Sequence, residues 1–138
     1  MFRDLSYGLQ KEKEVYEVLS KYYPNLVSTP IYSYWDYEND DFIIELKSRR
    51  CKKAHYPDTM IPLKKVKAML RNKKKSISVF NFTDGLYYYP LTEESIKCCR
   101  QSKGGRLDRG SYEIEYYLYI PIDKLIEVEP IVSSCESP

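Results

Sequence analysis

Histidine is nearly missing from this chain, whose 138 residues include one, His55. Lying in a basic loop beside Tyr56 and Pro57, it reads as a surface or packing residue and not as a general base. Cysteine is little better represented: Cys51, Cys98, Cys99 and Cys135 include no CxxC pair, which argues against zinc. The adjacent Cys98 and Cys99 do not suit an ordinary disulfide, and Met1-Phe2-Arg3-Asp4 is no signal sequence, so a reducing intracellular compartment is expected. No run approaches the roughly 18 apolar residues of a membrane helix, so no membrane partner is expected. Gly104-Gly105 lacks the Lys-Ser/Thr that would follow in a phosphate-cradling loop. There are no internal repeats and no sign of a second domain. One domain over residues 1–138 is expected, with 130–138 a loose tail.

What the chain does have is apolar bulk, tyrosine and an uneven charge. The hydrophobic fraction is 43%, which supports a folded core and argues against disorder. Tyrosine supplies 15 of the 20 aromatic residues; such rings close a core while leaving the hydroxyl in water, and a minority can stack on nucleic acid. The net charge of +2 hides a strong asymmetry. Between Lys47 and Lys75 stand 12 Lys or Arg against the single acid Asp58, a formal +11, while the rest of the chain carries 10 basic residues and 19 acids. A basic block of this kind suits a polyanionic substrate.

Along the chain, Leu9 to Tyr22 reads as a first helix with Val15, Tyr16, Leu19 and Tyr22 or Tyr23 on its apolar stripe. Ile31 to Tyr37 reads as a first strand with Trp35 turned towards the core. Ser48 to Thr59 reads as a basic loop. Pro62 to Arg71 reads as a second helix burying Leu63, Val66, Met69 and Leu70, with Asp58 or Thr59 near its start. Ser76 to Phe82, the turn Thr83-Asp84-Gly85 and Leu86 to Tyr89 form a hairpin. A short helix and a strand are expected within Leu91 to Arg100, a mobile loop over Gln101 to Gly110, and a strand over Tyr112 to Ile120.

The most informative stretch is Trp35 to Arg50. With Glu38 to Asp41 as a turn, Tyr37 pairs with Phe42, and Asp36 lies opposite Ile43 and diagonal to Glu45. Glu45, Lys47 and Arg49 share one face of the second strand; Phe42, Ile44 and Leu46 share the other, the core face. Two carboxylates that converge beside a lysine supply oxygens for a hard divalent cation and a positive group for water or phosphate. The plainer alternative makes Ile43, Glu45, Lys47 and Arg49 the solvated face of an edge strand.

Asp36, followed after eight residues by Glu45-Leu46-Lys47, resembles the active-site signature of the PD-(D/E)XK nuclease superfamily, with Trp35 where the name-giving proline would stand. The string Glu45-Leu46-Lys47-Ser48-Arg49, with Tyr56 and Thr59-Met60-Ile61 beyond, is similar to small single-domain members from large DNA viruses and phages. The resemblance spans roughly Tyr7 to Ile126. It implies an α/β, restriction-endonuclease-like core: a central mixed β-sheet flanked by helices. It implies hydrolysis of phosphodiester bonds in nucleic acid, DNA favoured over RNA, with an endonuclease expected. Asp36 and Glu45 would hold Mg²⁺ or Mn²⁺, the Leu46 backbone oxygen would be a further ligand, and Lys47 would assist the water. Glu12 is the preferred first-helix glutamate for completing the metal shell, with Glu14 and Glu17 as competitors. Arg49, Arg50, Tyr56 and Lys65 would meet substrate, and Lys64 could exchange roles with Lys65. A homodimer is kept open because dimers are common among similar enzymes, and a viral member would work in host cytoplasm or nucleus. Two alternatives stand beside this one. An inactive nucleic-acid binder of the same fold would keep Glu45 and Lys47 as an internal ion pair and bind without cutting. A structural or partner-binding protein would have negligible nucleic-acid affinity even at low salt.

Overall fold

The computed structural model describes residues 12–104 and 115–128. Residues 12–19 are helical (α1), and Val15 and Leu19, four apart on one face, are buried. The chain then runs through β1 (Val27–Ser28), β2 (Tyr37–Glu38), β3 (Phe42–Ser48), β4 (Asp58–Pro62), α2 (Leu63–Leu70), β5 (Lys75–Phe82) and β6 (Gly85–Leu91). It ends with α3 (Glu93–Lys97), β7 (Arg100–Gly104), β8 (Glu115–Pro121) and β9 (Ile126–Glu127).

Six strands form one mixed sheet in the order β1-β2-β3-β5-β6-β9, in which β3 and β5 are parallel and the other neighbours antiparallel. The interior strand β5 reads Lys-Ser-Ile-Ser-Val-Phe-Asn-Phe, and six of its eight residues are buried. A strand covered on both faces needs apolar or small residues at consecutive positions, and β5 has them. One face of the sheet packs Ile44, Ile77 and Val79 against Val15, Leu19 and Leu26. The other packs Ile43, Phe80 and Phe82 against Val66 and Met69 of α2 and Leu118 and Ile120 of β8. β3 thus lies between two cores, so the face carrying Ile43 and Glu45 is covered, not solvated. A core on the Phe42-Ile44-Leu46 side alone was the expectation from sequence.

Helix α2 follows its stripe: Leu63, Val66 and Met69, each three apart, are buried. Pro62 occupies the N-cap with φ −61°, pre-set for helix entry. Asp58 and Thr59 do not cap it, because they belong to β4, and the helix has no side-chain cap bond. The β5–β6 hairpin turns at Thr83-Asp84, with Phe82 opposite Gly85. Thr92 and Ser95 close a reciprocal capping box at the start of α3.

Three expectations fail here. Residues 31–36 are turns and bends, not a strand; Ile31 is fully exposed, and Trp35 leans on the α2-side core while Tyr37 enters the other. The basic loop ends earlier than its composition suggests, since Asp58–Pro62 is a strand with Thr59 and Ile61 inward. Arg100–Gly104 is a strand, not part of a mobile loop; with β4 and β8 it makes a second, three-stranded antiparallel sheet in the order β4-β8-β7. The expected loop over 105–110, the first residues of the expected 112–120 strand and the expected tail lie outside the described residues.

Candidate active site

The site starts from a turn. Asn39 Oδ1 accepts hydrogen bonds from the backbone N–H groups of Asp41 (2.9 Å) and Phe42 (2.7 Å), and Asn39 N–H donates to the Phe42 carbonyl at 3.0 Å. This side-chain turn sets the register at Tyr37 opposite Ile44 and Glu38 opposite Ile43. The sequence-based pairing of Tyr37 with Phe42 is therefore off by two residues. A slip of two keeps every paired side chain on its face, and Asp36, just before the paired Tyr37, lies against Ile44 and Leu46.

β2 ends at Tyr37, so the ladder along β3 would run out at Leu46. Asp36 continues it with different atoms: its N–H donates to the Ile44 carbonyl (2.9 Å), and its carboxylate Oδ2 accepts from Leu46 N–H (2.7 Å). That bond fixes the carboxylate against β3. Because the N–H and C=O of one strand residue point the same way, the Leu46 carbonyl faces this same open side.

Glu45 is 1% exposed. Its Oε2 lies 3.3 Å from Lys47 Nζ and accepts a hydrogen bond from Lys65 Nζ at 3.2 Å. Lys65 reaches it from the first turns of α2, where it sits beside the buried Leu63 and Val66. Glu45 Oε1 is buried and, among the described residues, has no hydrogen-bond partner. Burial pushes the Glu45 carboxyl above the ordinary range; Lys47 pulls it back, Asp36 adds to the rise, and Lys65 lowers it again. The Lys47 ammonium is pushed down by burial, held up by Glu45 and pushed down further by Lys65.

Glu12 faces the same field from α1. Its carboxyl is raised by partial burial and by the Asp36 charge, and its backbone carbonyl accepts from the Tyr37 hydroxyl at 3.4 Å. The Tyr37 phenol is pushed up to about 12 by burial, then by Glu12 and Asp36. The first-helix glutamate preferred from sequence is thus within electrostatic reach of Asp36.

The remaining expected residues divide. Lys65 joins the centre, whereas Lys64 points away and pairs with Glu115 at 3.6 Å. Arg49 turns onto β4: its Nε donates to Thr59 Oγ1 (3.3 Å) and its guanidinium to the Met60 carbonyl (2.7 Å), with Phe80 beneath at 6.0 Å. It braces the second sheet against β3. Arg50 is exposed. Tyr56 is exposed too, with His55 edge-on to its ring at 4.4 Å. One residue was not anticipated. Ser78 pairs with Glu45 across the β3–β5 ladder, is fully buried, and its hydroxyl has no partner. Its only trace in the sequence is a serine between Ile77 and Val79 of the interior strand.

Among the described residues no group of three or more His, Cys, Asp or Glu comes together in metal-holding geometry. The donors present are nonetheless of one chemical kind. Asp36, Glu45 and the Leu46 carbonyl offer oxygen, and a buried acceptor without a donor, as at Glu45 Oε1, costs about 1–3 kcal/mol unless something satisfies it. A small divalent cation that keeps several of its waters fits two carboxylates and a carbonyl.

A mixed sheet flanked by helices is the restriction-endonuclease-like architecture of the PD-(D/E)XK superfamily. Residues 6–128 match the family described as "Phage putative PDDEXK endonuclease", and the chain belongs to that family. No curated protein and no solved structure matches the chain significantly.

Proposed function

We propose that the chain is a Mg²⁺- or Mn²⁺-dependent endonuclease that hydrolyses phosphodiester bonds, with DNA preferred to RNA. The observation that carries this reading is the buried Glu45, one oxygen held by two lysines and the other unpartnered, beside an Asp36 carboxylate pinned to the same strand. Asp36, Glu45 and the Leu46 carbonyl would hold the cation, with Glu12 reaching it directly or through water. When bound, the cation supplies neutralisation of phosphate charge and a more acidic water. Lys47, on the same face as Glu45 and with its ammonium destabilised by burial, positions the attacking water and offsets charge on the phosphate oxygens. Lys47 and then Lys65 lower the Glu45 carboxyl that burial raises. Arg50, Tyr56 and Lys64 lie further out and hold the substrate strand.

A second reading has one observation in its favour: Glu45 Oε2 is already bonded to two ammonium groups, as in a purely internal ion pair. In that case the protein binds nucleic acid without cutting it. Labelled linear, nicked, branched and single-stranded DNA, and RNA, incubated with Mg²⁺ or Mn²⁺ and with EDTA, separate the two. The nuclease reading requires cleavage of DNA that EDTA stops and that the Asp36→Ala and Glu45→Ala proteins lack. Binding with no cleavage by the wild type would leave the binder.

A further inference from the structure

Two residues beyond Lys47, just past the end of β3, Arg49 forms one wall of a cleft of about 450 Å³. The buried Phe82 and the exposed Tyr56 and Met60 line it as well. Tyr56 is 60% exposed and Met60 39% exposed, although both are apolar enough to be buried elsewhere in this fold. Lys53 and Asp58 lie on the rim. Lys53 is held over the Tyr87 ring at 4.8 Å, and Asp58 is drawn off by Arg100 at 3.4 Å.

A volume of this size is within the range of small-ligand sites. An exposed aromatic ring, apolar Met60 and Phe82, and the cations Arg49 and Lys53 together make a lining on which an unpaired base can stack while its phosphate is neutralised. A base inside a duplex cannot reach such a cleft without leaving its stack. We infer that this cleft receives one unpaired nucleobase of the substrate strand, next to the bond presented to Glu45 and Lys47, so that the preferred substrate carries unpaired nucleotides beside the cut. The inference deepens the proposed nuclease function and rests on it for the neighbouring bond. The cleft itself stands on Tyr56, Met60, Phe82 and Arg49, none of which belongs to the acidic centre.

The test is binding without turnover. In EDTA, the full chain is titrated against three fluorescent DNAs: a single strand, a blunt duplex, and the same duplex with one bulged 2-aminopurine. Wild type should bind the single strand and the bulged duplex about tenfold more tightly than the blunt duplex, with a change in 2-aminopurine emission on binding. Tyr56→Ala should remove that preference and the emission change. Tyr56→Phe, which keeps the ring, should retain both. Equal affinity for all three DNAs, or a preference untouched by Tyr56→Ala, would overturn the inference. Tyr56 is exposed, so loss of fold does not enter, and circular dichroism checks it. The two readings fail separately: cleavage without the preference removes the cleft, and the preference without cleavage removes the nuclease.

Discussion

Removing the Lys65 ammonium should disturb Glu45 before anything else. Glu45 is buried, burial raises its carboxyl, and Lys65 is one of two cations that pull it back. Lys65→Met keeps the packing of the side-chain stem and leaves Oε2 with Lys47 alone. Urea unfolding at pH 7 should lose about 1–3 kcal/mol, less than for a buried charge stripped of every partner. Unchanged stability would mean that Glu45 does not depend on α2. Much of this centre was legible at the scale of single residues. Glu45 and Lys47 are set by strand alternation, and Lys65 by the helical stripe that buries Leu63 and Val66, whereas Asp36 lies before β2 and is placed by its bonds to Ile44 and Leu46. The register was not legible, because it depends on Asn39 using its side chain to close the turn, a choice that any Asn or Asp in Glu38 to Asp41 could have made. The contacts of Arg49 were not legible for a similar reason: its partners Thr59 and Met60 belong to a strand that the basic composition conceals.

Between elements, Tyr89 ties β6 to α3. Its hydroxyl donates to the Ser95 carbonyl at 2.8 Å and accepts from the Cys99 thiol at 3.5 Å. Burial, and then the Cys99 contact, raises the phenol far above its usual range. A phenol raised in the folded state stabilises fully below the unfolded pKa near 10, and that contribution drains away as pH climbs beyond it. Tyr89→Phe should be less stable than wild type by about 1 kcal/mol at pH 7, for the lost hydrogen bond. Thermal melts above pH 10 should show the gap closing, at up to about 1.4 kcal/mol per pH unit. A gap that stays constant to pH 11 would contradict the assignment. At this scale the hairpin of β5 and β6 and helix α2 could be read from alternation, period and an Asp-Gly turn. The second sheet could not. β7, Arg-Gln-Ser-Lys-Gly, has no apolar residue to announce it and exists because β8 supplies a partner edge and Tyr119 lies under Arg100 at 3.9 Å.

For the whole molecule the relevant quantity is the distribution of the positive segment. Its two ends separate in space along β3: Arg49 and Arg50 continue past Lys47, whereas Lys75 pairs with Phe42 at the opposite end of the strand. A polyanion lying along this side would meet cations on both flanks of Glu45. DNA affinity should therefore fall linearly in log–log form with salt, and Lys64→Ala, which removes an exposed cation of α2, should lower the slope by about 1 without changing the preference among DNAs. Fluorescence anisotropy between 50 and 200 mM salt, roughly the range where such slopes are measured, reads it directly. Affinity indifferent to salt would remove the electrostatic account.

The central claim is that Asp36 and Glu45 share one divalent cation, and Mn²⁺ binding tests it without any substrate. Electron paramagnetic resonance of Mn²⁺ titrated into the wild-type chain should show binding that disappears in Asp36→Asn and in Glu45→Gln, each with its circular dichroism unchanged. Mn²⁺ bound equally well by both variants would contradict it.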